Sequence, residues 1–250
     1  MDINKFKLLN YYYNLSVNRK NILLDKRTEH ALNNQQIEEK LVADGFLSNK
    51  KPTNKGIKAL EKYKVDNAVI LAAGSATRFI PLSLEYPKGL FEVKGERLIE
   101  RLIKQLQEAG ITNITVVLGY KKEMFYYLKE KYNIKLVVND EYQSKNNIRS
   151  IECVRESLKN TYICCCDDYF LSNPFNQFEY DSFYAGYETT ENIAEMYADT
   201  DNDEKIISMQ KGHNNGGEVL LGHTYWTADF SKRFIECVEN DKDGKYVSTL

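Results

Sequence analysis

Between residues 68 and 166 four short apolar runs alternate with amphipathic stretches, and this alternation constrains the fold more than any other feature of the chain. The runs are 68–72, 114–118, 136–138 and 162–166; the intervening stretches are 98–109, 121–132 and 147–158. A strand buried on both faces reads as a continuous apolar run, whereas a half-exposed strand alternates. Runs of this kind joined by helical segments predict a parallel sheet with helices on both faces. Further on, 183–187, 194–198, 206–209 and 219–226 follow one another strand after strand and predict an added mixed-sheet lid.

The first 64 residues follow a different pattern. Phe6, Leu9 and Tyr13 recur at helical spacing, and so do Ile37 and Leu41 in a second segment, 35–42. Asp44-Gly45-Phe46-Leu47 and a polar stretch to Pro52 precede Thr53-Asn54-Lys55-Gly56, which opens a helix carrying Ile57 and Leu60. Helix, short ribbon and helix resemble the small winged helix-turn-helix domains of bacterial regulators, with 1–64 as that domain and 66–250 as a second, larger one. Residues 1–64 carry a net charge of +6 and the remainder −8, giving the overall −2. The excess permits contact with a polyanion such as DNA, with Lys50, Lys51 and Lys55 on phosphates. The candidate recognition helix, however, carries Glu38, Glu39 and only Lys40, with no Arg to read guanine. DNA binding is therefore not favoured, and the expected role is contact with the larger domain or with a second subunit in a homodimer. Tyr11, Tyr12 and Tyr13 are expected in a core or interface.

Composition excludes several classes. With 42% hydrophobic and 28% charged residues the chain is globular rather than disordered. No apolar run approaches the roughly 18 residues that a membrane span needs, and residues 1–20 lack a signal-peptide core. Five cysteines, three of them consecutive (Cys164, Cys165, Cys166) inside an apolar run, suit a reduced, buried strand better than a disulfide framework. The expected compartment is the cytoplasm. Successive strand residues point to opposite faces, so the three thiols cannot converge on one metal. His30, His213 and His223 are too scattered to suggest a site.

The chemistry is concentrated where the first run ends, in Leu71-Ala72-Ala73-Gly74-Ser75-Ala76-Thr77-Arg78, followed by Pro87-Lys88. Small residues after a parallel strand let backbone amides approach a phosphate chain, at the carboxyl ends where open α/β sheets bind ligands. Arg78 as a planar fork and Lys88 as a point charge would add fixed positive charge to a triphosphate. Neither GxxxxGK[ST] nor GxGxxG occurs, which removes the P-loop and the dinucleotide fingerprint.

The phrases VILAAGSATRFIPLS and PKGLFEVKGERLIERLIKQLQEAGITNITVVLGY resemble the signature of nucleotidyltransferases that couple a nucleoside triphosphate to a phosphorylated small molecule. YLKEKYNIKLVVNDEYQSKNNIRSI and GEVLLGHTYW are similar to the bacterial CTP:phosphocholine cytidylyltransferases. The resemblance spans roughly 66–235 and implies a Rossmann-like α/β nucleotidyltransferase fold, with a mostly parallel mixed sheet, making CDP-choline and pyrophosphate from CTP and phosphocholine. A sugar 1-phosphate or aminoethylphosphonate acceptor, or a nucleotide-sensing DNA-binding regulator, is the alternative. By resemblance, Leu71, Ala72, Ala73, Gly74, Ser75 and Ala76 wrap the nucleotide, Arg78 meets the leaving pyrophosphate and Lys88 the reacting phosphates. Asn139, Asn146, Asn147 and Ser150 lie in the stretch that contacts base, ribose or acceptor, and Asp167 matches the Asp that holds Mg²⁺. The family more often has a second glycine in the loop. Related enzymes also continue through another acidic motif that supplies a second metal carboxylate, absent before Leu250, so the resemblance implies either an incomplete C-terminal part or a protein that lacks part of its metal site and is impaired or non-catalytic.

In-line attack of an acceptor phosphate on the α-phosphorus needs two anions aligned and neutralised, which positive charge and a hard cation provide without a protein nucleophile. A quaternary ammonium acceptor is held by aromatic faces with a carboxylate nearby. Tyr187, Glu188, Glu195, Tyr197, Tyr225 and Trp226 are the candidate acceptor-binding residues on this ground; Met196 stands where relatives often have Trp.

Overall fold

The computed structural model describes residues 1–19, 22–143, 147–189, 195–212 and 218–240. It opens with helices α1 (Ile3–Ser16), α2 (Lys26–Leu32) and α3 (Gln35–Ala43), a hairpin of β1 (Leu47–Ser48) and β2 (Lys51–Pro52), and α4 (Asn54–Leu60). Each helix starts on a side-chain cap: Asp2, Asp25, Asn34 and Thr53 accept from the amides of Lys5, Thr28, Gln36 and Gly56. A Cβ at Gly56 would lie 2.2 Å from the Phe46 carbonyl oxygen, so only glycine lets α4 close on the hairpin.

The larger unit begins with β3 (Asn67–Ala72), buried along its whole length. After it come a short α5 (Leu82–Glu85), the hairpin of β4 (Glu92–Val93) and β5 (Glu96–Arg97), α6 (Leu98–Glu108), β6 (Ile114–Leu118), α7 (Tyr127–Tyr132), β7 (Lys135–Val138), α8 (Asn147–Glu152) and β8 (Thr161–Cys165). The last elements are β9 (Phe183–Glu188), β10 (Met196–Thr200), β11 (Ile206–Lys211), β12 (Glu218–Trp226) and α9 (Ala228–Asn240). The central sheet runs β11-β10-β12-β8-β3-β6-β7, with β9 on the other edge of β12. Strands β8, β3, β6 and β7 are parallel neighbours, as the continuous apolar runs predict. Helices α6 and α7 cover one face, over Ile70, Val116 and Cys164; α8 and α9 cover the other, over Val69, Val117 and Ile163.

Three expectations need correction. The strands after residue 182 do not form a separate lid: β12 joins the central sheet antiparallel to β8, with His223 opposite Cys164 and Trp226 opposite Thr161. The expected helix 121–132 starts as a 3-10 turn, Lys122–Phe125, and becomes α-helical at Tyr127. The expected helix 147–158 ends at Glu152 and resumes as a 3-10 turn over Arg155–Ser157. Among the described residues no helix is long and apolar enough to cross a membrane.

The two units share a core. Phe178, fully buried, belongs to the cluster of Phe6, Leu9, Leu41 and Leu60 in the first unit, with Tyr180 packed against it. Polar groups close the seam: Asn10 Nδ2 donates to the Phe178 carbonyl at 3.3 Å, and the Tyr13 hydroxyl donates to Gln177 at 2.8 Å. Arg19 donates to the Phe175 carbonyl and to Asn14. Truncating a buried phenylalanine costs about 3–5 kcal/mol through lost transfer energy and the cavity left behind. Phe178→Ala is therefore expected to destabilise both units together, as one lowered denaturation transition. Two separate transitions, with the first unit alone affected, would contradict a shared core.

A second buried feature sets a pH limit. Burial raises the pKa of Glu100 on α6, but hydrogen bonds from Lys131, Tyr132 and Tyr127 outweigh it and bring the carboxyl down to about 2. Its stabilisation is present above the usual carboxyl value and is lost as pH falls from about 4.5 towards 2. Urea titrations should show Glu100→Gln less stable than the parent at pH 7 by on the order of 1–3 kcal/mol, with the gap closing towards pH 2. A gap independent of pH would remove the ionic explanation.

Candidate active site

The parallel pairing of β3 with β8 sets Leu71 beside Cys165, so the loop after Ala72 and the residues after Cys165 emerge side by side. Leu71 and Ala72 are strand residues, and the Leu71 carbonyl accepts from the Cys166 amide at 3.1 Å. The Ala73 carbonyl accepts from the Tyr120 amide at 3.0 Å, tying the loop to the end of β6. Around Gly74 no atom lies within 4 Å of where a Cβ would stand, and Ser75 is half-buried, so this stretch of backbone faces open space. Ala76 has φ +50°, in the left-handed region that favours glycine.

Arg78 follows in a 3-10 turn, 81% exposed at its side chain, and pairs with Glu195 Oε1 at 3.2 Å. Lys88 opens another 3-10 turn, Lys88–Leu90, which packs hard against the end of β8: a Cβ at Gly89 would lie 3.1 Å from Cys166. This seats the Lys88 ammonium on the Asp167 carboxylate, with the Phe79 ring 4.8 Å away. The structure thus brings together the loop, Arg78, Lys88, Asp167 and Glu195.

Asp168 completes the turn. Burial first, and the Asp167 charge second, push its carboxyl up to about 7, and its Oδ2 is buried without a hydrogen-bond partner. Gly222 on β12 lies against it: a Cβ there would be 2.6 Å from the Cys165 Cβ, so only glycine fits. Tyr184 on β9 stands close enough that Cys165 and Asp168 add to burial in raising its hydroxyl pKa. Tyr184, Gly222, Gly119 and Tyr142 escaped the sequence reading. A Cβ at Gly119 would lie 2.7 Å from both the Ala73 carbonyl and the Tyr142 ring, which makes glycine obligatory at the end of β6. The dipeptide Gly119-Tyr120 after a buried run was the available signal.

Other expected site residues lie elsewhere. Asn139 and Ser150 are buried and bonded to each other at 3.0 Å, and Asn139 Oδ1 accepts from the Glu141 amide. They join β7 to α8 instead of facing a ligand. Asn147 is exposed at the start of α8; Asn146 lies outside the described residues, as does His213. Tyr197 is fully buried, Glu188 pairs with Lys26 of the first unit at 2.7 Å, and Tyr187 is exposed on β9. Tyr225 packs in the core 5.3 Å from the Tyr162 ring, and Trp226 packs on Phe234 of α9. Because β12 runs antiparallel to β8, its last residues sit at the start of β8, the end of the sheet remote from Asp167. The six acceptor candidates therefore do not form one cage; Glu195 among them pairs with Arg78.

The five cysteines are free; burial pushes the Cys164 and Cys166 thiols well up, and Cys165 up to about 12. Among the described residues no group of three or more His, Cys, Asp or Glu side chains could hold a metal. The Asp167–Asp168 pair remains, a hard-oxygen set with one buried partnerless oxygen. It fits a hard cation completed by phosphates and water, and does not suit a thiolate- or imidazole-bound metal.

A small-residue loop at the carboxyl end of a parallel sheet, flanked by an arginine, a lysine and a strand-end aspartate, is an arrangement suited to binding a polyphosphate. Residues 68–190 match the MobA-like NTP transferase domain. The chain is 36% identical to the choline-phosphate cytidylyltransferase of Streptococcus pneumoniae, over 69% of this chain and 75% of that protein. It is 37% identical to the 2-aminoethylphosphonate cytidylyltransferase of Lancefieldella rimae, over 67% and 69% respectively. The solved CTP:phosphocholine cytidylyltransferase of Streptococcus pneumoniae superposes with a TM-score of 0.68, covering 74% of this chain and 78% of that one. The chain belongs to the family of the bacterial choline-phosphate cytidylyltransferases, within the nucleotidyltransferase superfamily.

An alanine at positive φ costs roughly 1–2 kcal/mol that glycine avoids, partly offset by the larger entropy glycine loses on folding. Ala76→Gly is accordingly expected to leave the stability unchanged or to raise it by up to about 1 kcal/mol, measured by urea denaturation. A loss above about 1 kcal/mol would show that the methyl group packs favourably despite its backbone.

Proposed function

We propose that the protein transfers the cytidylyl group of CTP to phosphocholine, giving CDP-choline and pyrophosphate. The observation that carries this reading is the Lys88–Asp167 pair beside the open loop backbone at Gly74, with Arg78 at its rim. An acceptor phosphate oxygen forms a bond to the α-phosphorus as the bond to the β-phosphate oxygen breaks, and pyrophosphate leaves with the electron pair. Loop amides cradle the phosphates. Lys88 exchanges Asp167 for a phosphate oxygen and neutralises charge at the reacting centre, while Arg78 leaves Glu195 for the departing pyrophosphate. Asp167, with Asp168 behind it, would hold Mg²⁺, which supplies charge neutralisation at the phosphates when bound.

Acceptor choice is the finer step. For a cationic head group, the partly exposed Tyr184 on β9, near Cys165 and Asp168, supplies an aromatic face. The likeness to a 2-aminoethylphosphonate cytidylyltransferase supports a primary-amine acceptor as the second reading. For the first unit, the seam with Phe178 and the acidic α3 support a scaffolding role over specific DNA recognition.

Pyrophosphate release, measured with each nucleoside triphosphate and with phosphocholine, phosphoethanolamine, 2-aminoethylphosphonate and glucose 1-phosphate, tests the proposal. CTP with phosphocholine should be fastest, and cation–π contacts of about 0.5–2 kcal/mol imply tens-fold discrimination at most against the primary amines. Arg78→Ala and Lys88→Ala should each lower turnover about 10²- to 10³-fold with the fold intact. Preference for the sugar phosphate, or near-parental turnover in either variant, would overturn the assignment.

A further inference from the structure

Lys88 and Asp167 belong to segments far apart in sequence, and their spacing has to be set by something other than their own ion pair. The packing of Gly89 against Cys166 supplies part of it, and one side chain bonds to the stretches that follow each residue. Arg101, on the first turns of α6, donates from Nε and Nη2 to the Phe170 carbonyl at 2.8 and 2.6 Å, and from Nη2 to the Leu171 carbonyl at 3.0 Å. Its guanidinium lies 4.7 Å from the centroid of the Tyr169 ring. Phe170 and Leu171 are the third and fourth residues after Asp167. From the opposite end of the fork, Nη1 donates to Glu96 Oε1. Glu96 lies on β5, in the hairpin that follows the Lys88–Leu90 turn directly.

Gln105, one helical turn further along α6, adds a bond from Nε2 to the same Phe170 carbonyl at 3.1 Å, and its own carbonyl accepts from Asn173 Nδ2 at 2.8 Å. A polar stripe on α6 therefore straps the chain leaving β8 over residues 170–173. The fork suits the task, because one planar group with five donors in fixed directions can hold a carboxylate and two carbonyls at once. A lysine ammonium at the same place could reach one of these partners and would leave the others bare. The side chain is only about one-fifth exposed, so its bonds to Phe170 and Glu96 are largely shielded from competing water.

We propose that Arg101 is a positioning residue for nucleotidyl transfer: it registers the turn carrying Asp167 and Asp168 against the hairpin that follows Lys88. The proposal rests on the functional reading above for its catalytic consequence, and on the bonds alone for its structural one. Residues that orient metal-holding side chains without touching the metal typically contribute 10- to 100-fold in metal affinity or activity.

The experiment compares the parent with Arg101→Met and Arg101→Lys. Three readouts are taken: amide hydrogen exchange over 167–173 and 92–97, thermal stability, and pyrophosphate release from CTP and phosphocholine as Mg²⁺ is varied. Arg101→Met should speed exchange in both segments, lower kcat 10- to 100-fold and raise the Mg²⁺ concentration at half-maximal rate. Arg101→Lys should recover stability more fully than it recovers kcat. Unchanged exchange in either segment would overturn the registering role. Faster exchange with parental kcat and Mg²⁺ dependence would reduce Arg101 to a structural residue and overturn the proposal as well. If the parent shows no turnover with any acceptor, the functional reading fails, while the exchange data still decide whether Arg101 joins the two segments.

Discussion

The parallel ladder between β3 and β8 is the constraint on which the site depends. Asn67 to Leu71 pair with Thr161 to Cys165 without a break, and every β3 residue is buried, so neither strand can slip without turning apolar side chains outward. That register carries the Ala73–Thr77 loop and the Asp167–Asp168 turn to the same height at the carboxyl end of the sheet. Glycines at 119 and 222 then remove the side chains that would separate neighbouring strand ends from the loop and from Cys165. The site is a consequence of strand register first and of charged residues second.

The strands were readable because burial on both faces turns a sequence into a plain apolar run, as in 68–72 and 114–118. That the loop, Lys88 and Asp167 lie together was readable because residue types suited to phosphate chemistry follow the ends of two buried runs. What escaped was direction and backbone bonding. Tyr225 and Trp226 are aromatic residues on a strand that does border the site, but alternation is the same read forwards or backwards, and only the antiparallel pairing with β8 shows that they lie at the wrong end. Asn139 and Ser150 have the polarity of ligand contacts, yet they satisfy each other in the interior. The Arg101 strap could not be foreseen, because its acceptors are mainly main-chain carbonyls, which leave no mark on residue identity.

The first unit shows why a composition boundary is not a packing boundary. Charge and periodicity change near residue 64, but α1 buries Phe6, Leu8, Leu9, Asn10, Tyr12 and Asn14 around much of its circumference. A helix covered on several sides needs partners beyond its own small unit, and Phe178, Tyr180 and the Asn176–Gln177 segment supply them. The same unit reaches β9 through Lys26 with Glu188, and the β10–β11 turn through Arg27 with Glu204 and the Asp203 carbonyl.

The two cations of the site are held differently, and the difference bears on the order in which a polyphosphate would engage them. Arg78 and Glu195 form a solvent-exposed pair, and exposed pairs contribute little, so exchanging Glu195 for phosphate oxygens costs little. Lys88 and Asp167 are each more than two-thirds buried. Separating them without replacement would leave a partly desolvated charge on either side, which is far more costly than breaking a surface pair. Lys88 and Asp167 would therefore part at low cost only if each gained a new counter-charge, which couples any exchange at one to an exchange at the other. Under the proposed function, the exposed Arg78 would therefore re-pair with a polyphosphate at less cost than the partly buried Lys88, which makes it the readier first contact for the distal phosphates.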